Sequence, residues 1–199
     1  MQIEGPEGEV TGLLNRWSDG DASALPELAH ALYPQWRRMA QSYFQHENAG
    51  HMLQATALVH EAYMALTRLR PHGFESRFEL QALIGKLMRQ ILVDHARRVR
   101  SAKRGDGVVH VPVADALDAA DENAAARASE FLVIHEALDK LQGLHERMAR
   151  VVELHFFAGL TQTEVSESLG ISPATVNREL RMAKAWLGSA IDDPQPKAP

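Results

Sequence analysis

The sequence predicts an all-α protein of two helical lobes joined by a linker. Apolar residues recur every three or four positions along most of the 199-residue chain, which is the spacing of one face of an α-helix. Strand-like and helix-like segments do not alternate, so a sheet covered by helices is not expected. The stretch 105–126 is rich in Ala and acidic residues and breaks the helical pattern, which makes it the predicted linker.

The first lobe is predicted over residues 8–104. Its helices are expected in the segments 10–44, as a pair separated at Gly20-Asp21, and then 56–69 and 76–104. Trp17 and Trp36 share their helical spacing with other apolar residues, as Trp186 does in the second lobe. All three are therefore expected in the core rather than in a ligand site.

The second lobe is predicted over residues 127–191 and ends in a helix-turn-helix motif. Thr161 is placed to cap the first helix of the motif, and Glu164, three residues later, completes a capping box. Gly170 supplies the positive φ that ends this helix. Ser172-Pro173 then starts the second helix, because Ser is a good N-cap and Pro fits the first turn.

The second helix of this motif presents a polar and basic side to solvent, while Val165 and Val176 fall where the two helices meet. Asn and Arg side chains read base edges in the major groove, and the hydroxyls and other cations suit phosphates. The predicted DNA-contacting residues are Ser172, Thr175, Asn177, Arg178, Arg181 and Lys184. The alternative is a helical hairpin with a solvated charged face, but the caps, the glycine and Ser-Pro all agree in one register, which favours DNA contact.

A second basic element ends the first lobe. Its cations are Lys86, Arg89, Arg97, Arg98, Arg100, Lys103 and Arg104, set against the single acid Asp94. Such a run also occurs at solvated helix ends, where the dipole favours it. Because the chain has a second DNA-reading element, the basic run predicts salt-dependent binding of phosphates. Phe74 and Phe78, just before the run, offer rings that could stack on an unpaired base.

Composition excludes several other classes of protein. The chain has no Cys and a net charge of −5, and its start lacks the basic and apolar segments of a signal peptide, so a reducing cytoplasm is expected. His60-Glu61 resembles part of a zinc motif, but position 64 is Met. No cofactor or metal is predicted, and no catalytic motif indicates an enzyme. Residues 192–199, with three prolines, are expected to be a disordered tail.

Four blocks of this sequence resemble RNA polymerase sigma factors of the extracytoplasmic-function (ECF) type, in a divergent branch of that family. The blocks are 53–63 (LQATALVHEAY), 91–98 (ILVDHARR), 151–160 (VVELHFFAGL) and 183–187 (AKAWL). The resemblance covers nearly the whole chain. It implies a bacterial factor that directs core RNA polymerase to promoters and has no chemistry of its own.

The resemblance also implies a role for each segment. The helix containing Leu58, Val59, Glu61 and Ala62 is similar to the surface that docks on the β′ clamp helices. The loop from residue 70 to 78 and the basic helix after it would capture and open the minus-ten element. The helix-turn-helix would read the minus-thirty-five element as duplex beside the β flap. An anti-sigma factor is a further partner that the family suggests.

One departure from the wider family concerns regulation. Most members have acidic residues just before the Leu-Val pair, where this sequence has Gln54-Ala55-Thr56-Ala57. A phosphate on Thr56 would restore roughly −1.5 to −2 of charge at a helix N-terminus, so a Ser/Thr protein kinase is a hypothetical switch. The alternative is that Thr56 serves only as an N-cap.

Two other functions remain open at the level of sequence. One is a stand-alone transcription regulator whose N-terminal helices sense a ligand or dimerise; such a protein would not need the basic helix, and it usually binds palindromic duplex without polymerase. The other is a protein-protein adaptor whose helix-turn-helix no longer binds DNA. A salt-sensitive shift of promoter DNA would count against the adaptor.

Overall fold

The computed structural model describes residues 6–44, 51–69, 73–74, 76–102 and 124–192. Within these ranges every regular element is helical, which confirms the predicted all-α class. The elements are α1 (Pro6–Ser18), α2 (Ala24–Ser42), α3 (His51–Thr67), α4 (Arg77–Ala102), α5 (Ala124–Leu144), α6 (Glu146–Val152), a π-helical turn (Glu153–Phe157), α7 (Gln162–Leu169) and α8 (Pro173–Asp192). Lys103, Arg104, most of the predicted linker and nearly all of the predicted tail lie outside the described residues.

The chain divides into two compact units, Met1–Met88 and Arg89–Pro199. The division falls within α4, so its first half is described with the first unit and its second half with the second. None of the helices in the described part of the chain is long and apolar enough to cross a membrane.

The first unit is built on the packing of α1 and α3 against α2. The break between α1 and α2 follows the prediction: Gly20 has a φ of 99°, and the Asp21 carboxylate accepts hydrogen bonds from Ser23 N at 3.0 Å and Arg16 Nη2 at 2.7 Å. The core is formed by large side chains that are almost fully buried, among them Leu14, Trp17, Leu28, Trp36, Leu58, Leu66, Leu80 and Ile84. The burial of Trp17 and Trp36 confirms their predicted core positions.

Helix α3 begins at His51, upstream of the predicted start at Thr56. The segment 51–55 contains no Gly or Pro that would break a helix, and it includes the good helix formers Met52, Leu53 and Ala55. Thr56 is therefore an internal residue of α3 and not its N-cap, which corrects the alternative interpretation of this residue.

Apolar clusters form the core of the described part of the second unit. In one, Val93 and Ala96 of α4 pack on Ala128 and Leu132 of α5. The other joins α5, α6 and α8, and its buried members are Leu138, Leu141, Met148, Ala149, Val152 and Ala183, with Phe157, Trp186 and Leu187 packed against them. Trp186 thus lies at the edge of a core.

A π-helical turn follows α6, and the sequence pattern did not predict it. The Ala158 N–H donates to the Glu153 carbonyl at 2.9 Å, five residues back instead of four. The wider turn buries Leu154, leaves Phe156 on the surface and packs Phe157 against the core. The turn ends at Phe157, and Gly159 follows two residues later with a φ of 69°, a conformation that favours glycine.

Candidate nucleic-acid interface

Helix α7 begins with the predicted capping box. The Glu164 N–H donates to Thr161 Oγ1 at 3.2 Å, and the Thr161 N–H donates to Glu164 Oε2 at 2.9 Å. Two of the amide groups that a helix start leaves without partners are therefore satisfied. This fixes the first turn of α7 by local interactions alone.

The turn between α7 and α8 is also built from local interactions. Gly170 has a φ of 62°, and its N–H and that of Ile171 donate to the Glu167 and Ser166 carbonyls at 3.4 and 3.1 Å. These two bonds form the Schellman motif that ends many helices. On the far side, Ser172 Oγ accepts from the Thr175 N–H at 3.1 Å, so Ser172 caps α8 as predicted.

The outer side of α8 carries the predicted DNA-contacting residues. Val165 and Val176 are fully buried at the contact with α7, which confirms that they face inward. The side chains on the other side are exposed, apart from the half-buried Thr175; they are Ser172, Asn177, Arg178, Arg181 and Lys184. The structure therefore brings one amide, two guanidinium groups and one ammonium group together on a single helix face.

A buried acid lies on the inner side of α8, and sequence reasoning missed its role. Glu179 is 5% exposed, and its Oε1 accepts hydrogen bonds from Arg147 Nη2 at 2.7 Å and Nε at 3.2 Å. Arg147 belongs to α6. Arg178 Nη2 lies 4.0 Å from the same oxygen. The partners Arg147 and Glu179 are 32 positions apart, so no local pattern points to the pair.

The second half of α4 presents the other predicted basic surface. Arg97, Arg98 and Arg100 are exposed in the second unit. The only acid within this run, Asp94, lies 3.8 Å from Arg97 Nη1. Lys86, described with the first unit, is exposed as well.

Arg89 departs from this prediction. It is only 9% exposed, because Asp139 Oδ1 and Glu153 Oε1 hold its guanidinium at 2.6 and 2.9 Å and the Phe157 ring lies 5.5 Å from it. Its Nε and Nη2 also lie 3.1 and 2.8 Å from His135 Nδ1. Since a guanidinium engaged in this way offers no surface to a phosphate, the structure corrects the assignment of Arg89 as a DNA contact and places it inside the second unit.

His135 completes this cluster as a neutral ring. Its Nδ1 accepts from Arg89, and its Nε2 lies 3.4 Å from Asp139 Oδ2, which fits a proton on Nε2. Burial lowers the pKa of His135 below 6.5, and the positive charge of Arg89 lowers it further. The ring therefore acts here as a hydrogen-bonding neighbour of Arg89 and not as a second cation.

The two phenylalanines before α4 are both half-buried. The Phe74 ring stacks on Trp17, with ring centroids 5.3 Å apart and an interplanar angle of 15°. The guanidinium of Arg77 lies 5.0 Å from the centre of the Phe78 ring. Each ring thus already has a neighbour within the first unit.

Helix α3 carries the residues predicted to dock on polymerase. Leu58, Val59 and Ala62 are buried against the core of the first unit, and only Glu61 is partly exposed. A side chain without accessible surface cannot form a docking contact, so the structure corrects the assignment of the three apolar residues. The surface that α3 offers instead includes His60 and Met64.

Thr56 is half-buried within α3.

Among the described residues, no group of three or more His, Asp or Glu side chains is arranged to hold a metal ion. The chemistry that the arrangement does support is the recognition of an anionic polymer by two basic surfaces.

The chain is similar to a known protein family over nearly its whole length. The family model of the ECF sigma factors matches residues 7–193. Searches of curated proteins and of solved structures found no significant match. The family match spans nearly the whole chain, including α7, α8 and the basic half of α4, and the chain therefore belongs to the ECF sigma factor family.

Proposed function

We propose that this sigma factor recognises promoters through two surfaces: the outer side of α8, which reads duplex DNA, and the exposed cations of α4, which hold the phosphates of the minus-ten region. Family membership supplies the coarser function, which is the initiation of transcription with RNA polymerase. The observation that carries the finer proposal is the grouping of Asn177, Arg178, Arg181 and Lys184 on one exposed face of a well-capped helix.

The α8 face is suited to the minus-thirty-five element because its side chains match the donor and acceptor pattern of the major groove. Asn pairs with adenine and Arg with guanine through two hydrogen bonds each, and each good pair contributes about 1–3 kcal/mol of discrimination. Ser172 and Thr175 lie at the N-terminus of α8, where hydroxyl and amide groups contact phosphates in other helix-turn-helix proteins.

The α4 surface is suited to phosphates and not to base edges. Arg97, Arg98 and Arg100 form a short row of exposed guanidinium groups. Neutralising three phosphates of duplex DNA would give a slope of log affinity against log salt of about −3. We further propose that the Phe74 and Phe78 rings stack on an unpaired base.

Core RNA polymerase would bind the exposed side of α3. His60, Glu61 and Met64 supply one basic, one acidic and one apolar group on that side. An apolar groove of about 220 Å³ adjoins this surface between α2 and α3, lined by residues that include Tyr33, His60 and Tyr63. The groove extends the area that a partner helix would bury.

The kinase switch at Thr56 is a separate proposal. Since Thr56 lies inside α3, a phosphate there would gain less from the helix dipole than at the first turn, and its effect would come from the charge that it adds. An anti-sigma factor would compete for the same exposed surfaces. If kinase control is correct, core polymerase captures the Thr56-phosphorylated chain but not the unmodified chain, and Thr56→Ala is inactive in a host with the kinase.

A selection experiment tests the main proposal. Purified chain bound to core RNA polymerase is used to enrich duplexes from a random pool, and the enriched duplex is compared with a scrambled one at fixed salt. Replacing both Arg178 and Arg181 with Ala should abolish the preference for the enriched duplex. This variant keeps Arg147 and the caps of α7 and α8, so the loss would come from the missing guanidinium groups. Specific binding of a palindrome by the chain without polymerase would instead favour the stand-alone regulator.

A further inference from the structure

The DNA-reading helix α8 carries a buried carboxylate, which is an unusual residue on the inner side of such a helix. Glu179 lies between Val176 and Ala183 on the face that packs inward, and both of these neighbours are fully buried. Lone charges are rarely buried because desolvation is costly, so Glu179 depends on the guanidinium of Arg147. The pair ties α8 to α6.

The position of Glu179 on α8 relates this tie to DNA reading. Successive residues of an α-helix are about 100° apart, so Asn177 and Arg181, two positions before and after Glu179, point to the opposite side. Whatever sets the direction of the Glu179 side chain also sets the direction of these two. Arg178, the adjacent residue, is drawn towards the same carboxylate oxygen at 4.0 Å.

The apolar contacts of α8 are unevenly distributed along its length. The large Trp186 and Leu187 pack on the core near the C-terminal end, whereas the fully buried apolar residue beside Asn177 and Arg178 is the small Val176. Packing around a small side chain restricts the rotation of the N-terminal half of α8 less than packing around a large one. A rotation of about 20° would move side chains at a radius of about 6 Å by about 2 Å, which is more than recognition sites tolerate. The two directional hydrogen bonds from Arg147 to Glu179 Oε1, at 2.7 and 3.2 Å, restrict that rotation.

We propose that Arg147 and Glu179 are a positioning pair that sets the rotation of α8 and thereby the sequence specificity of the helix-turn-helix. Neither residue touches DNA; both act through Asn177, Arg178 and Arg181. The inference rests on the proposed function of α8 as a reader of duplex DNA.

The deciding variant separates positioning from stability. The double substitution Arg147→Met and Glu179→Leu removes both charges and replaces the buried carboxylate with apolar atoms. Because the Arg147 side chain is 61% exposed, its ion pair adds little to stability, and the desolvation cost of the Glu179 carboxylate is removed with it. The double variant should therefore unfold no earlier than the wild-type chain. Its preference for the enriched duplex over the scrambled one should nevertheless fall by about tenfold, while its affinity for the scrambled duplex changes by less than about threefold.

Arg150→Met is the matched control. Arg150 is an exposed arginine of the same helix α6, and its Nη1 lies 3.7 Å from Glu153 Oε2, a carboxylate that is not part of α8. This variant removes one cation of α6 but should keep the wild-type preference. If the double variant also keeps that preference within twofold, the positioning role is overturned.

A DNA-independent measurement distinguishes failure of the pair from failure of the proposed function. Residual dipolar couplings of backbone amides in α6 and α8 give the orientation of one helix relative to the other, and the double variant should show α8 rotated by about 10–20°. If the wild-type chain enriches no duplex, the proposed DNA-reading function fails, and the couplings still test the pair. Unchanged couplings would overturn the positioning role.

Discussion

Replacing Arg89 with Met should destabilise the second unit, because Arg89 is the shared cation of a partly buried cluster. Its removal takes the shared cation away from the carboxylates of Asp139 and Glu153, leaving Glu153 with only the more distant Arg150 at 3.7 Å, and it removes the donor to His135 Nδ1. Met has a similar length and retains the apolar packing along the stem. The variant therefore isolates the charge and its hydrogen bonds.

The exposure of the two carboxylates determines the expected size of the effect. Breaking a fully buried ion pair costs about 3–5 kcal/mol, whereas an exposed pair is worth about 0–1 kcal/mol. The Glu153 side chain is 26% exposed and that of Asp139 is 54% exposed, so the cluster falls between these limits. We expect the free energy of unfolding of the second unit to fall by about 2–3 kcal/mol, which lowers its urea midpoint by about 1–2 M.

The assay must report on the second unit separately. Labelling with 5-fluorotryptophan gives one ¹⁹F signal for each Trp; Trp186 packs on the core of the second unit, while Trp17 and Trp36 belong to the first. Urea titrations of the full chain should show an earlier transition of the Trp186 signal in Arg89→Met. Arg97→Met, which removes an exposed cation from the same helix, should change that midpoint by less than about 0.5 M.

The opposite pattern would refute this reasoning. In that case, Arg89→Met and Arg97→Met would have the same urea midpoint for the Trp186 signal, and Arg89→Met would lower the magnitude of the slope of log DNA affinity against log salt by about one. Arg89 would then contact a phosphate, as the sequence first suggested.

Further predictions concern pH, local structure and phosphate contacts. Because the pKa of His135 is lowered in the folded unit, the unfolded chain takes up a proton more readily, and the stability of the second unit should fall as pH drops below about 6.5; His135→Gln should flatten this dependence in urea titrations at different pH values. Gly170→Ala meets open space but must adopt a φ near 62°, and should cost about 1–2 kcal/mol by the Trp186 signal. Thr161→Ala removes the α7 cap and should cost about 1 kcal/mol in the same titration; no change would contradict the capping box. Replacing Arg97, Arg98 and Arg100 with Gln should reduce the salt slope of DNA binding by about three, and an unchanged slope would remove α4 from the interface.

The sequence by itself determined the helical class and the helix-turn-helix. The motif depends on interactions between residues a few positions apart, so it can be predicted from the sequence. These are the capping box of Thr161, the positive φ of Gly170 and the cap at Ser172. The exposed face of α8 follows from the same local register. The break at Gly20 and the burial of Trp17 and Trp36 were predicted on similar grounds.

Tertiary structure alone decided the exposure of side chains whose neighbours lie far away in the sequence. Leu58, Val59 and Ala62 matched a docking motif, but the packing of the first unit buries that side of α3. Arg89 stood in a run of basic residues, yet its partners lie 46 to 64 positions away and withdraw it from the surface. The Arg147–Glu179 pair is likewise formed by residues that meet only when α6 and α8 pack. Charge and periodicity along a chain fix what each residue can do, whereas the long-range contacts of the folded state fix which residues remain exposed to do it.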